Sequence, residues 1–293
     1  MRPHKGLTMI AGIVALFALM SISPAFMDAA NAAAKYVTIK GSDTMVHLVS
    51  TWAEDFMDNH KDADISVTGG GSGTGIAAML NGTTDICAAS RQMKKQEVTM
   101  AEQKKITPVR YVVARDGIAV VVNPKNPVGT LTIEQLGKIF TGAYTNWTQV
   151  GGPDKPIIVL SRESSSGTYV FFQEHVLGKK DYTTDARLMP ATSAIIQATA
   201  QDAWAIGYVG LGYAIDAGDK VKILAVKADD KAAAVVPSET TVISGEYSIA
   251  RPLQLYTNGE ATGTIKEFID FCLSPAGQKI VRETGYVPVP AGK

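Results

Sequence analysis

Cysteine is almost absent from this chain: two residues in 293, Cys87 and Cys272. Two cannot build a disulfide-stapled scaffold. Sequence alone leaves open whether they meet or simply serve as small buried apolar residues. Histidine is nearly as scarce, and His4, His47, His60 and His175 are scattered without metal-ligand spacing, which argues against a zinc enzyme. No charge of one sign prevails, with 28 Lys and Arg against 28 Asp and Glu. A balanced chain has no general attraction to nucleic acid or to a membrane surface, so any anion chemistry must be local. Signatures of phosphoryl and acyl transfer are missing as well. There is no G-x-x-x-x-G-K-[ST], and the glycine-rich loop at 69–75 places Ile76 or Ala78 where the last glycine of G-x-G-x-x-G belongs. S-x-x-K does not occur, and G-x-S-x-G around Ser72 fails at Thr74. A hydrolase is therefore the weaker class, and neither a catalytic residue nor a cofactor is assigned.

What is present is ordinary globular material, 46% apolar and 19% charged, long enough for one large domain or two modest ones. Residues 1–34 stand apart. Arg2, His4 and Lys5 precede an apolar stretch from Leu7 to Met20, and small residues, Ala29-Ala30-Asn31-Ala32-Ala33-Ala34, follow. These are the parts of a secretory signal peptide cleaved near Ala32 to Ala34. A membrane anchor is the other reading, but the run is short for a bilayer span and no later stretch approaches one. Neither cysteine ends the apolar stretch, so no lipoprotein cysteine is present. Export to the periplasm is expected. Cleavage removes Arg2, Lys5 and Asp28 and leaves a net charge of about −1.

Along the rest of the chain, strand-like and helix-like segments alternate. Tyr36–Lys40 reads as a strand, Thr44–Asn59 as an amphipathic helix, and the ISVTG segment as a strand. A glycine loop, a helix from about Thr74 to Asn81, a strand Asp85–Ala89 and a charged helix Lys94–Gln103 follow. This rhythm predicts an α/β sheet with ligands at strand C-termini and helix N-termini. Two segments read as crossings between lobes: Val109–Asn123, two apolar runs broken by Arg115-Asp116-Gly117, and Tyr247–Gly259, with Arg251-Pro252 in its middle. Thr262–Phe271 and Pro275–Thr284 read as closing helices, with Pro275 in a first turn. The expected organisation is a discontinuous first lobe, 35–114 plus 252–293, around a second lobe, 115–251.

Three loops share one design. Gly41-Ser42-Asp43-Thr44, the glycine-rich 69–75 loop, and Arg162-Glu163-Ser164-Ser165-Ser166-Gly167-Thr168 each leave a strand and open a helix. Helix N-termini present unpaired N–H donors and partial positive charge, so each can hold an oxyanion. Hydroxyls add donors without charge, and Arg162 adds a forked cationic donor. Taken singly, each loop also fits plain N-caps and turns. Three together favour anion binding without choosing the anion.

As a set, GSDTM, GGGSGTGIAAMLNGTTDICAASR, SRESSSGTYVFFQEHV, YVGLGY and the closing GYVPVP resemble the phosphate-binding proteins of bacterial phosphate ABC transporters. The likeness spans residues 36–290. It implies the α/β type II periplasmic-binding-protein fold, two α/β lobes joined by two extended hinge crossings, closing on inorganic phosphate and docking on an ABC permease of the inner membrane. It also implies a monomer without nucleic-acid partners. By position, the resemblance makes Thr44, the Met45 amide, Ser72, Arg162, Ser166, the Gly167 N–H and Thr168 phosphate ligands. One place departs from the better-known branch, where an aspartate accepts the phosphate proton: here stand Ser90 and Arg91. Arg91 is expected to be a second cationic ligand or a partner of Glu163 or Asp43, with a solvated surface position as the alternative. Either carboxylate would then be the substitute acceptor.

Overall fold

The computed structural model describes residues 35–290; the expected signal peptide lies outside them. β1 (Lys35–Gly41) turns into α1 (Val46–Asn59), which returns to β2 (Ala63–Thr68), and α2 (Ser72–Leu80) leads on to β3 (Ile86–Ala89). β1 pairs in parallel with both β2 and β3, a geometry that needs such crossover helices. On α1, Leu48, Val49, Trp52, Ala53 and Phe56 form the buried stripe that the 3.6-residue period demands. After α3 (Lys95–Gln103) comes β4 (Pro108–Val122). Then follow β5 (Thr130–Thr132), α4 (Ile133–Phe140), β6 (Ile158–Arg162), α5 (Gly167–His175), β7 (Arg187–Met189), α6 (Thr192–Gln201), β8 (Ala205–Gly210) and α7 (Leu211–Ala217). The chain ends through β9 (Lys222–Ile223), β10 (Ala225–Lys227), α8 (Glu239–Ser244), β11 (Ala250–Asn258), α9 (Gly263–Leu273) and α10 (Pro275–Glu283). Pro275 opens α10, and the preceding Ser274 caps it by accepting from the Gly277 amide at 3.2 Å.

One curled sheet runs β2-β1-β3-β11-β4-β8-β6-β7, with β9 also on β4. Its outer thirds are parallel, and the central pairs around β11 and β4 are antiparallel. The two expected crossings are therefore neighbouring strands. β4 does not break at Arg115-Asp116-Gly117, contrary to the sequence pattern. That tripeptide stays extended because it marks an exchange of partners: Pro108–Gly117 pairs with Ala250–Asn258, and Ile118–Val122 pairs with β8.

Each end of the sheet has apolar cores on both faces. On β3, Ile86 and Ala88 join a core containing Trp52, Phe56, Leu253 and Phe268, while Cys87 and Ala89 join Ile76, Met79 and Tyr256. Alternate residues of a strand face opposite ways. On β8, Ile206 and Tyr208 meet Phe140, Trp147 and Phe172, and Ala205 and Val209 meet Leu160 and Ile195. Cys87 and Cys272 are buried free thiols in separate cores. Burial pushes the Cys87 thiol up to about 12, so both serve as small apolar residues.

Candidate functional site

The sheet delivers four loops, those after β1, β2, β3 and β6, to one place. β1 ends at Gly41, with φ of 148°, where a Cβ would sit 2.0 Å from the Ala88 carbonyl oxygen. Only glycine lets the chain turn that close beside β3. The Ser42 amide then donates to the Ala88 carbonyl at 2.7 Å, and the Ser42 hydroxyl donates to Ser90 Oγ at 2.9 Å. The Ser90 amide donates to Ser72 Oγ at 3.0 Å, and the two serine hydroxyls lie 3.3 Å apart. Ser72 is the first residue of α2, which starts two residues earlier than its sequence suggests. The N-terminus of α5 faces these serines. A Cβ on Gly167 would fall 2.3 Å from Ser72 Oγ and 2.6 Å from Ser90 Oγ. Beside it, Thr168 Oγ1 and Thr44 Oγ1 are 2.8 Å apart, and the Gly73 amide donates to the Ser165 carbonyl at 2.9 Å.

Ser42, Thr44, Ser72, Ser90, Ser166 and Thr168 are all at most 2% exposed. Buried hydroxyls are costly unless bonded; here Ser42 and Ser72 bond Ser90, Thr44 bonds Thr168, and Ser166 accepts from backbone amides. Each hydroxyl can donate or accept by rotating, so the cluster can regroup around an oxyanion without a change of charge. Ser166 is also the N-cap of α5, accepting from the amides of Thr168 and Tyr169. The Met45 amide is spent on the Ser42 carbonyl at 2.9 Å in a short 3₁₀ turn, and its side chain lies in the core.

Behind the threonines lies an ion pair with both partners fully buried, Arg251 and Asp116. They are cross-strand partners in the β4–β11 register. Arg251 Nη2 and Nε donate to Asp116 Oδ2 at 2.8 and 3.1 Å, and the Leu211 amide donates to Asp116 Oδ1 at 2.9 Å. Burial pushes the Asp116 carboxyl upward, and Arg251 and the Leu211 amide oppose it. Arg251 Nη2 also reaches Thr168 Oγ1 at 3.0 Å and Thr44 Oγ1 at 3.5 Å. The sequence reading placed neither residue in the site. A partial signal was present: Arg251 is the single charge of its crossing segment, and Asp116 is the single acid of the other, of opposite sign.

The other two arginines lie differently than expected. Arg162 spreads over Met189 and Pro190 carbonyls and Thr192 Oγ1 at 3.2, 2.9 and 2.8 Å, and pairs with Asp43 at 3.0 Å. Asp43 also accepts from the Thr192 amide at 2.7 Å. This is a clasp at the edge of the hydroxyl cluster. Arg91 is neither solvated nor joined to Glu163 or Asp43. It is 7% exposed and forms a two-pronged pair with Glu97 at 2.7 and 2.8 Å. Glu97 wins because the first turn of α3 holds it in place through the Lys94 amide, which donates at 2.7 Å. Glu163 is exposed, and Asp43 is engaged by Arg162.

Residues 28–276 match the model of the PBP superfamily domain. The chain is 36% identical over 271 residues to the protein SphX of Synechococcus elongatus, covering 89% of this chain and 80% of that protein. It is 31% identical over 300 residues to the phosphate-binding protein PstS of Pseudomonas aeruginosa, covering 96% and 92%. Among solved structures it is similar to a Clostridium perfringens phosphate ABC transporter substrate-binding protein with bound phosphate: TM-score 0.80, 32% identity, 87% of this chain and 100% of that one. An ABC-type phosphate transport receptor of Vibrio cholerae also matches, with TM-score 0.69 and 31% identity over 87% of this chain and 100% of that one.

Proposed function

The chain belongs to the PBP superfamily, among the phosphate-binding proteins of ABC importers, and from that premise we propose that it captures inorganic phosphate and hands it to an ABC permease. The observation that carries this reading is the gathering of six buried hydroxyls from four strand-to-helix loops, two of which, Thr44 and Thr168, meet Arg251 of the buried Arg251–Asp116 pair. Thr44, Ser72, Ser90, Ser166 and Thr168 would take the phosphate oxygens, with amides at the starts of α2 and α5 adding donors along the helix axes. Arg251 belongs with them. Each arginine near the cluster has its own carboxylate: Arg251 has Asp116, Arg162 has Asp43 and Arg91 has Glu97. The anion is therefore held by oriented dipoles more than by net charge, which lets it leave again. No bond is made or broken.

In this reading 35–114 with 252–293 and 115–251 are two lobes that close through β4 and β11. The Arg162–Asp43–Thr192 clasp and the threonine pair then form on closure. Residues 1–34 direct export to the periplasm and are removed, and the mature chain acts as a monomer. The test is isothermal titration of residues 35–293 with phosphate, arsenate, sulfate, molybdate and tungstate. Tight one-to-one phosphate binding is expected. Binding of sulfate or tungstate without phosphate overturns the proposal.

A further inference from the structure

The segment that follows α10 adds no hydroxyl to the cluster, yet it reaches the site. Gly285, with φ of 76°, ends the helix in the left-handed turn that glycine permits, and the Tyr286 amide donates to the Val281 carbonyl at 2.9 Å. Tyr286 joins the core of Trp52 and Phe268, while its neighbour Val287 joins the core of Trp147 and Phe172. Val287 also exchanges both backbone hydrogen bonds with Arg115, at 2.7 and 3.0 Å. The backbone is thus pinned on both sides of the Tyr286 side chain. A Cβ on Gly212 would sit 2.7 Å from Tyr286 Cε2, so α7 lies directly against the ring. The Tyr286 hydroxyl donates to the Thr44 carbonyl at 2.5 Å, and the two residues are 2% and 1% exposed.

We propose that Tyr286 is a positioning residue for the anion: it fixes the Asp43–Met45 turn so that the Thr44 hydroxyl stands beside Thr168 and Arg251. The inference rests on the phosphate reading above and adds to it a residue that does not touch the ligand. Thr44 Oγ1 lies 2.8 Å from Thr168 Oγ1 and 3.5 Å from Arg251 Nη2. Its methyl has no slack, since a Cβ on Gly210 would fall 2.8 Å from Thr44 Cγ2. A small slide of the turn would therefore spoil the hydroxyl's contacts, because hydrogen bonds weaken steeply away from good geometry. Other side chains also grip the turn. The Tyr213 hydroxyl donates to the Asp43 carbonyl at 3.2 Å, and Arg162 and Thr192 clasp the Asp43 carboxylate. All three belong to 115–251 and meet the turn only when the lobes are shut. Tyr286 shares the other lobe with Thr44, so its hold is in place before phosphate arrives. Burial pushes the Tyr286 hydroxyl well above its ordinary 10.0, so it remains a donor at neutral pH. A ligand group fixed in advance does not have to be ordered at the expense of affinity.

The test is a double-mutant cycle on residues 35–293, read by isothermal titration with inorganic phosphate. Tyr286→Phe keeps the ring against Gly212 and removes only the hydroxyl. Thr44→Val keeps the shape of the side chain and the carbonyl that Tyr286 holds. Alone, Tyr286→Phe should weaken phosphate binding by about fivefold or more. On the Thr44→Val background it should change affinity by less than about twofold, because no hydroxyl is left to position. A cooperative urea transition in each variant shows that it is folded. Tyr286→Phe within about twofold of the parent chain would overturn the inference, and so would an equal loss on both backgrounds, which marks a role in stability alone. A parent chain that binds no phosphate sinks the functional reading and this inference together. A parent chain that binds, with Tyr286→Phe binding equally well, sinks only the inference.

Discussion

Gly167→Ala tests whether the site closes as two surfaces meeting. The new Cβ would lie 2.3 Å from Ser72 Oγ, 2.6 Å from Ser90 Oγ and 2.9 Å from Ser72 Cβ, against 3.4 Å or more for ordinary contact. Neither serine can simply swing aside. Ser72 Oγ accepts from the Ser90 amide, and Ser90 Oγ is held by Ser42. The backbone itself raises no objection, since Gly167 is the first residue of α5 and alanine is the better helix former. All of the cost therefore falls on bringing α5 against Ser72 and Ser90. Overpacking of this kind costs about 1–3 kcal/mol, which is roughly 5- to 150-fold in affinity. Isothermal titration should show phosphate binding weakened by that factor, while the urea midpoint without phosphate moves little. An affinity within twofold of the parent chain would refute the steric reasoning. A stability loss as large as the affinity loss would mean that the two surfaces are permanently joined.

Asp116→Ala should destabilise the fold by about 3–5 kcal/mol in urea unfolding, because it strands a buried arginine and the Leu211 amide; a loss below about 1 kcal/mol would contradict full burial of the pair. For Glu97, burial raises the carboxyl, but the hydrogen bonds from Arg91 and the Lys94 amide together outweigh it and leave the group below its ordinary 4.5. A lowered carboxyl stabilises the fold above its unfolded value and loses that stabilisation as pH falls through its folded value. The stability gap between the parent and Glu97→Gln should therefore be flat from neutral pH down to about 5 and shrink below about 4.5; a gap that widens in acid would contradict the pairing. Cys87 and Cys272 are buried free thiols, so a thiol-reactive dye should label neither in the native chain and both in urea.

Much of the first 70 described residues was legible because each element there carries its own local signal. Alternation marks β1, the apolar stripe marks α1, and glycine and serine mark the turns. Ser72, Ser166 and Thr168 were legible as candidates for the same reason, since they stand at helix starts. What escaped was set by pairing between distant segments. Asp116 and Arg251 are 135 residues apart, and only the β4–β11 register makes them neighbours. Arg162 was read as a free fork because its carbonyl partners, at Met189 and Pro190, and Asp43 come from other parts of the chain. For Arg91 the misreading was avoidable: Glu97 is six residues away and sits in the first turn of the helix that follows. The unbroken β4 was illegible in another way, since a charged, glycine-containing tripeptide reads as a break. It stays extended where the strand changes partners, with Asp116 neutralised by Arg251.

Selectivity follows from which groups can accept a proton from the ligand. Asp43 Oδ2 already takes the Thr192 amide, the Thr192 hydroxyl and Arg162. Both oxygens of Asp116 are engaged, by Arg251 and by the Leu211 amide. Glu163 is exposed. A hydroxyl of the cluster can then accept the phosphate proton without disturbing any of these ion pairs. A carboxylate in that place would repel an unprotonated sulfate oxygen; a hydroxyl only has to turn its proton round. That rearrangement forfeits about one hydrogen bond, 0.5–1.5 kcal/mol or roughly 2- to 12-fold. The chain should therefore prefer phosphate over sulfate by only about 2- to 12-fold from protonation alone, and millimolar sulfate should weaken phosphate titrations measurably. Rejection of sulfate by more than about a thousandfold, some 4 kcal/mol, exceeds what hydroxyl rotation supplies. It would require a carboxylate facing the ligand, which Asp43 could supply only by leaving Arg162 and Thr192.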